Sequence, residues 1–580
     1  MPRLRLALAQ SNPVVGDLVG NADLIVDSVR RAKSAGAQLV ATGEMALTGY
    51  PIEDLALQPS FLRASHGAVA ALATRLQDEG LGDIPVVVGH PDGPFEPRLL
   101  GTSNAPTAIA QNCASVLQHG RIQARYAKHH LPNYAVFDEY RIFIPGDELL
   151  VMRIADVDVA VIICEDLWRE GGPLARVLES DAGVLLTINA SPYERDKDEV
   201  RLPLVTRRAV QTSTVVAYVN IVGGQDDLVF DGDSVVVDGT GSILARAPQF
   251  RDHLLIVDID ADSATAANDT GELPPNTRRI HLDAPPTPED ALEPDIAALP
   301  DDREQIWNAL VLGLRDYVEK NRFPSVVLGL SGGIDSAVCA ALAADAIGPD
   351  RVHAISMPSR WSSDHSRSDA DDAAERMGIH YSVEPIADLV APVETQLALT
   401  GVAAENLQAR IRAIILMGRS NMDGHLLLTT GNKTELAVGY STIYGDSAGG
   451  FAPIKDVPKT LVWELARWRN EAAIARGETP PIPENSISKP PSAELRPDQV
   501  DQDTLPPYEL LDELLEAYVG RRLGREDVIA LGFDAATVDF VTRLVDRSEW
   551  KRRQGAIGPK ISGMAFGRDR RLPITSRPTA

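Results

Sequence analysis

Glu44, Lys128 and Cys164 have the side-chain types that an amide-cleaving site needs. Leu39–Ala41 and Val157–Ile163 read as apolar strands; Glu44 and Cys164 follow their ends, and Lys128 lies in a polar stretch. A cysteine at a strand end with a helix starting behind it feels the positive helix terminus, so its pKa is expected to fall from ~8.5 toward ~7. A glutamate can take the thiol proton, and a lysine can stabilise the oxyanion formed when a thiolate attacks an amide carbon. The other reading of a cysteine in an apolar run is a small buried hydrophobe, which Cys113 and Cys339 fit.

A second constellation lies in Gly329-Leu330-Ser331-Gly332-Gly333-Ile334-Asp335-Ser336. An apolar strand, 326–330, runs into it, and the Ala-rich run 337–344 reads as a helix leaving it. Backbone N–H groups and the helix dipole at such a turn favour an anion such as phosphate. The loop lacks a Gly-Lys-Ser/Thr ending and carries Asp335 instead. A carboxylate beside phosphates calls for a cation such as Mg²⁺ between them. Leu426–Thr430 reads as a further strand and ends in Gly431-Asn432-Lys433-Thr434-Glu435. In a parallel sheet that end lies near the first loop, where ligands collect, and Glu435 could share a metal with Asp335. The bland alternatives are a tight glycine turn and an ordinary carboxylate in the first turn of a helix.

The elements that must position these groups fall into two α/β blocks. Residues 1–262 alternate apolar strands with helical patterns such as Asn21–Ala35, an α/β layered domain. Residues 263–300 are Pro-rich and acidic and read as an extended linker or wrapping arm. Residues 301–580 open with an amphipathic helix over 301–320, followed by parallel strands at 326–330, 352–356 and 426–430. A Pro-rich loop or lid is expected over 478–507, then an acidic amphipathic helix over 508–519. The chain of 580 residues has a net charge of −26, which argues against a nucleic-acid partner. No apolar run approaches the ~20 residues of a membrane span. Three cysteines far apart exclude a disulfide framework or a Cys-based zinc site and point to a reducing cytoplasm.

The neighbourhoods of these residues carry two resemblances. Glu44-Met45-Ala46-Leu47-Thr48-Gly49-Tyr50-Pro51, Lys128-His129-His130-Leu131-Pro132-Asn133-Tyr134 and Cys164-Glu165-Asp166-Leu167-Trp168 resemble, in order, three motifs of the nitrilase (carbon–nitrogen hydrolase) superfamily. By that resemblance the first domain is an α-β-β-α sandwich, Glu44 the general base, Lys128 the oxyanion stabiliser and Cys164 the nucleophile. Tyr134, Ser191 and Lys197 match glutamine-binding positions of the glutaminase branch. Glu139 matches a second glutamate that orients the catalytic groups, with a salt bridge to Arg141 as its alternative role.

Residues 329–336 resemble the pyrophosphate loop of the N-type ATP pyrophosphatases, which transfer AMP to a carboxylate or carbonyl oxygen. Leu428–Tyr440, Ser356–Arg360, Glu405–Arg412 and Lys455–Lys459 are similar to NAD synthetase signatures within that family. The resemblance implies a Rossmann-like parallel-sheet adenylating domain. In it Gly329, Leu330, Ser331, Gly332, Gly333, Ile334, Asp335, Ser336, Thr430 and Lys459 hold ATP. Asp335 and Glu435 hold Mg²⁺, and Asn406, Arg410, Glu435 and Lys560 lie at the deamido-NAD site. Trp361 departs from an expected tyrosine, and Gly449-Gly450 from an acidic segment of the short, ammonia-only relatives. Together the two halves resemble the glutamine-dependent NAD synthetases. That implies glutamine, ATP and deamido-NAD as substrates, ammonia channelled between the domains, and a cytoplasmic homo-oligomer, dimer or octamer.

Overall fold

The computed structural model describes residues 3–95, 108–260, 273–497 and 499–576. The chain divides into two compact units: Met1–Gln225 with Phe230–Pro300, and Asp226–Val229 with Asp301–Ala580.

The first unit holds two mixed sheets. One has the order His253–Asp260, Arg3–Gln10, Leu39–Thr42, Val86–Asp92, Gln111–Gln118, Arg121–Ala127. The other has the order Ile243–Arg246, Val235–Val237, Val215–Asn220, Val184–Asn189, Val157–Ile163, Leu149–Ile154, Thr277–His281. Strand alternation decides which face goes where. Leu4, Leu6 and Leu8 enter a core shared with Val159, Val161 and Leu186 of the second sheet. Ala7 and Val40 turn to the other face and meet Val26, Val29, Val69 and Leu72, which lie on helices Leu18–Ser34 and Pro59–Asp78. Leu174 and Val177 of Gly172–Glu179, and Leu204 and Val205 of Asp198–Thr212, join the core of the second sheet. The layers are α-β-β-α. Fully burying each such Val, Leu or Ile contributes roughly 1.5–3 kcal/mol. A one-residue slip of a strand would therefore forfeit several such contributions at once.

The Pro-rich stretch behaves differently from a solvated linker. Its residues 263–272 lie outside the described residues. Thr277–His281 adds an edge strand, parallel to Leu149–Ile154. Arg279 pairs with the buried Asp158 at 3.0 Å, and Ala297 N donates to Arg246 O at 2.9 Å. An open sheet edge offers unpaired N–H and C=O groups, and an extended arm with one ladder's worth of donors satisfies them.

The second unit is built on a four-stranded parallel sheet in the order His380–Val383, Val352–Ser356, Val326–Gly329, Leu426–Leu427. The chain leaves Val326–Gly329 to one side and returns on the other. The strand order therefore reverses beside its carboxyl end, where a crevice opens. The expected strand over 426–430 is shorter than its pattern. Leu428 bridges Phe451 and Thr429 N donates to Phe451 O, so the chain changes partner after Leu427. The 478–507 region contains a helix at Glu484–Ser488 and a tight turn at Asp501–Asp503. Tyr508–Leu515 is helical and continues as a wider turn to Gly520. Among the described residues no helix is long and apolar enough to cross a membrane.

Candidate active sites

Cys164 closes strand Val157–Ile163 with φ 45°, a region that non-glycine residues rarely adopt. Such a conformation costs roughly 1–3 kcal/mol and persists only where neighbours hold it. Cys164 N donates to Ile188 O at 3.0 Å. The buried Asp166 carboxylate accepts from Ile163 N at 3.2 Å, Tyr126 Oη at 2.6 Å and His130 N at 2.8 Å. The cysteine turn and the Lys128 loop are thus tied to one carboxylate.

Glu44 follows the parallel strand Leu39–Thr42. It accepts from Lys128 Nζ at 2.8 Å, Asn112 Nδ2 at 2.6 Å and Ala190 N at 3.0 Å. Lys128 also meets Glu139 at 2.8 Å, and Tyr50 Oη donates to Glu139 at 2.9 Å. Glu139 therefore pairs with Lys128, while Arg141 pairs with Asp138 and Asp54. Glu44, Lys128 and Glu139 are all nearly excluded from solvent. Burial opposes the Lys128 charge, but Glu139 and Glu44 outweigh it and hold the ammonium well above the ordinary lysine range. Burial, with Glu44 adding to it, pushes the Glu139 carboxyl up to about 7 against the pull of Lys128.

The expected fall in the Cys164 pKa is not what the structure shows. Burial pushes the thiol well up, Glu44 adds to the rise, and Lys128 only opposes it. The helix behind it, Glu165–Trp168, has four residues, too few to build a terminus that offsets the lost solvation. The resting cysteine is a thiol that needs a base.

Around it, Tyr134 Oη donates to Glu165 Oε2 at 2.8 Å, and Ser191 N donates to Asn220 Oδ1 at 2.8 Å. Lys197 Nζ lies 5.2 Å from the centre of the Trp168 ring. Asn112 and the Ala190 N–H were not singled out from sequence. A polar Asn112 inside the strand Gln111–Gln118, whose last seven residues, Asn112 among them, are buried, is the available signal.

In the second unit, the loop after Val326–Gly329 is pinned from several sides. Leu330 N donates to Ile355 O at 3.0 Å, Gly333 N to Ser331 Oγ at 3.2 Å, and Ser486 Oγ to Gly332 O at 2.9 Å. Gly332 has φ +80°, and a β-carbon there would lie 2.2 Å from Ser366 O. Only glycine fits. Gly333 caps helix Ile334–Ile347 without a side-chain bond, which leaves the first N–H groups to face the loop.

Asn432 caps helix Lys433–Val438 in a capping box with Glu435, and its Nδ2 donates to Asp335 Oδ1 at 3.1 Å. Lys459 Nζ bonds Asp335 Oδ2 and lies 3.7 Å from Glu435 Oε1. Burial, then Asp335, pushes the Glu435 carboxyl up to about 8. Burial opposes the Lys459 charge, and Asp335 and Glu435 together raise it. Thr430 is half-buried and stands two residues before Asn432 in the chain. The fold thus brings Asp335 of the 329–336 loop together with Asn432, Glu435 and Lys459.

Three other expected contacts lie elsewhere in the unit. Asn406 accepts from Thr442 Oγ1 at 2.8 Å, and Arg410 Nε donates to Ile443 O at 3.3 Å. Both brace the turn that carries Asp446, whose carboxylate accepts from Thr442 N at 2.6 Å. Lys560 is buried, with Nζ 2.6 Å from Ser562 O and 3.5 Å from Asp569. A cavity lined by Thr429, Gly431, Glu435, Asp446, Lys455 and Arg552 links the carboxylate cluster to the Asp446 turn. At Gly450 a β-carbon would meet Leu426 at 2.6 Å, so that departure from the short relatives fits a close approach to the strand.

Fold and sites together define a two-unit enzyme: a nitrilase-type amidase sandwich and a parallel-sheet nucleotide-binding unit. Residues 5–269 match the carbon–nitrogen hydrolase family, and residues 306–555 match NAD synthase. A glutamine-dependent NAD(+) synthetase of Xanthomonas campestris is 44% identical over 99% of this chain and 97% of its own. One from Thermotoga maritima is 42% identical over 100% of this chain and 99% of its own. The solved structure of a glutamine-dependent NAD+ synthetase from Acinetobacter baumannii, in complex with adenosine diphosphate, superposes with a TM-score of 0.72. It is 38% identical and covers 99% of this chain and 98% of its own. The chain belongs to the family of glutamine-dependent NAD(+) synthetases.

Proposed function

We propose that the chain amidates deamido-NAD to NAD with ATP, using ammonia released from glutamine in its first unit. The observation that carries this is the buried Glu44–Lys128–Glu139 cluster at Cys164, in a chain whose second unit holds Asp335 and Glu435 beside a phosphate-type loop.

At the first site Glu44 takes the Cys164 proton as the sulfur attacks the glutamine amide carbon. A thiol held protonated by burial makes that base necessary. Lys128, fixed between two carboxylates, faces the developing oxyanion. Glu44 returns the proton to the leaving nitrogen, so ammonia departs and a glutamyl thioester remains. Water, deprotonated by Glu44, then releases glutamate. Tyr134, Ser191 and Lys197 hold the glutamine.

At the second site the nicotinate carboxylate attacks the α-phosphorus of ATP, and pyrophosphate leaves. Residues 329–336 hold the phosphates, with the N–H groups of the first turn of helix Ile334–Ile347 toward them and Thr430 and Lys459 beside them. Asn406, Arg410 and Lys560 shape the dinucleotide site through the Asp446 turn and the 560–569 segment. Ammonia, passed from the first unit unprotonated, attacks the mixed anhydride; AMP leaves and NAD forms.

Asp335 and Glu435 fit Mg²⁺: both are oxygen donors, and the raised proton affinity of Glu435 beside Asp335 marks a pair that a cation relieves. Bound there, the ion would offset charge on the pyrophosphate. The working form is a cytoplasmic homo-oligomer, dimer or octamer. The exposed Ile414, Met417 and Met422 on helix Val402–Asp423 support an apolar contact between copies.

The test is mass spectrometry after mixing the protein with glutamine, ATP and deamido-NAD. NAD, AMP, pyrophosphate and glutamate should appear together. Amidation of simple carboxylates in preference to deamido-NAD would overturn the substrate assignment.

A further inference from the structure

Lys459 meets both carboxylates of the second site. It is 1% exposed, its ammonium bonds Asp335, and it lies 3.7 Å from Glu435. The rings of Tyr508 and Trp463 flank it at 5.5 Å and 5.8 Å from their centres. Its own backbone N–H donates to Thr434 Oγ1 at 2.9 Å, one residue before Glu435. The side chain is thus built into the carboxylate pair, with the aromatic rings walling the charge. Among the described residues no group of three or more His, Cys, Asp or Glu side chains is placed to hold a metal ion. Asp335 and Glu435 are two, so a divalent ion held by them must complete its shell with phosphate oxygens and water.

We propose that Lys459 is an internal counter-ion that competes with the divalent cation for Asp335 and Glu435, so that the cation binds only together with the nucleotide. The inference rests on the reading that these two carboxylates hold Mg²⁺. Two carboxylates and one ammonium leave at most one net negative charge, too little to attract a dication into contact with a buried ammonium. A triphosphate reverses this. Its oxygens give Lys459 a second set of acceptors, drawing the ammonium off the carboxylates, and they supply the ligands the protein lacks. Lys459 then acts as a positioning residue for the metal–nucleotide complex and enforces the order of binding.

The experiment uses the full chain and Mn²⁺ as the probe, with binding read from loss of the free-ion EPR signal, with and without α,β-methylene-ATP. The native protein should bind Mn²⁺ weakly alone and at least about tenfold more tightly with the analogue, the scale expected of one unscreened charge. Lys459→Met should tighten nucleotide-free Mn²⁺ binding about tenfold and lose most of the synergy. Lys459→Arg, which keeps the charge, should stay weak without the analogue. Lys459→Gln repeats the neutral test should the Met variant fail to fold. The inference is overturned if folded neutral variants bind Mn²⁺ no better than native while Asp335→Asn still lowers binding with the analogue. If Asp335→Asn and Glu435→Gln both leave Mn²⁺ binding with the analogue unchanged, the metal-holding reading itself fails and takes the inference with it.

Discussion

Glu139 is the residue whose environment makes the sharpest statement. Its carboxyl is pushed up to about 7 by burial, so it changes charge near neutral pH. Ionised Glu139 pairs with Lys128 and holds the ammonium that faces the oxyanion formed when Cys164 attacks. The glutamine-dependent rate should therefore rise with pH through about 7. In Glu139→Gln that limb should vanish and glutamine-dependent kcat fall by about tenfold or more, while synthesis from ammonium salts keeps its own profile. Parallel pH–rate profiles with the two nitrogen donors check this. For stability the sign runs the other way. The folded protein keeps this proton up to about pH 7, while the unfolded chain loses it near the ordinary glutamate value of 4.5. The folded state binds more protons between those values, so this group's contribution to stability falls as pH climbs through them. Melting curves should show Glu139→Gln losing less stability than native over that window.

At the scale of elements, two short turns carry the second site. The capping residue Asn432 starts one helix and donates to Asp335. Asn432→Ala should cost about 1 kcal/mol of stability and lower synthesis with glutamine and with ammonium alike, read by denaturant unfolding and NAD production. Gly332 lies in a positive-φ turn with no room for a β-carbon. Gly332→Ala must shift the loop away from Ser366, and KM for ATP should rise by about tenfold. An unchanged KM would show that the loop's N–H groups do not bind phosphate. Asn432 and Gly332 both stood inside motifs legible in sequence. Their geometric reasons did not, because the Ser366 carbonyl arrives from 34 residues away and Asp335 from 97.

For the whole molecule, the two units carry separate sites, so their activities should separate. Cys164→Ala should reduce glutamine-dependent NAD formation by at least ~10³-fold and leave synthesis from ammonium salts in place. Asp335→Ala should remove synthesis with both donors and leave glutamine hydrolysis measurable. Glutamate release and NAD formation, followed in one assay, distinguish these outcomes. An Asp335→Ala protein that still made NAD would refute the assignment of that loop.

The residue types at both sites, the period-2 strands and the helices around them were determined by sequence alone, because alternation and helical periodicity are local properties of a chain. The two-unit α/β architecture followed from the same patterns. Tertiary structure decided which charges meet. It set Lys128 against Glu139 instead of leaving Glu139 to Arg141, brought Asn112 to Glu44, and slid Lys459 between Asp335 and Glu435. It also turned part of the Pro-rich arm into an edge strand. Above all it reversed the expected proton affinity of Cys164. Desolvation and ion pairing depend on which distant segments close over a group, and neither can be counted until the chain has folded around it.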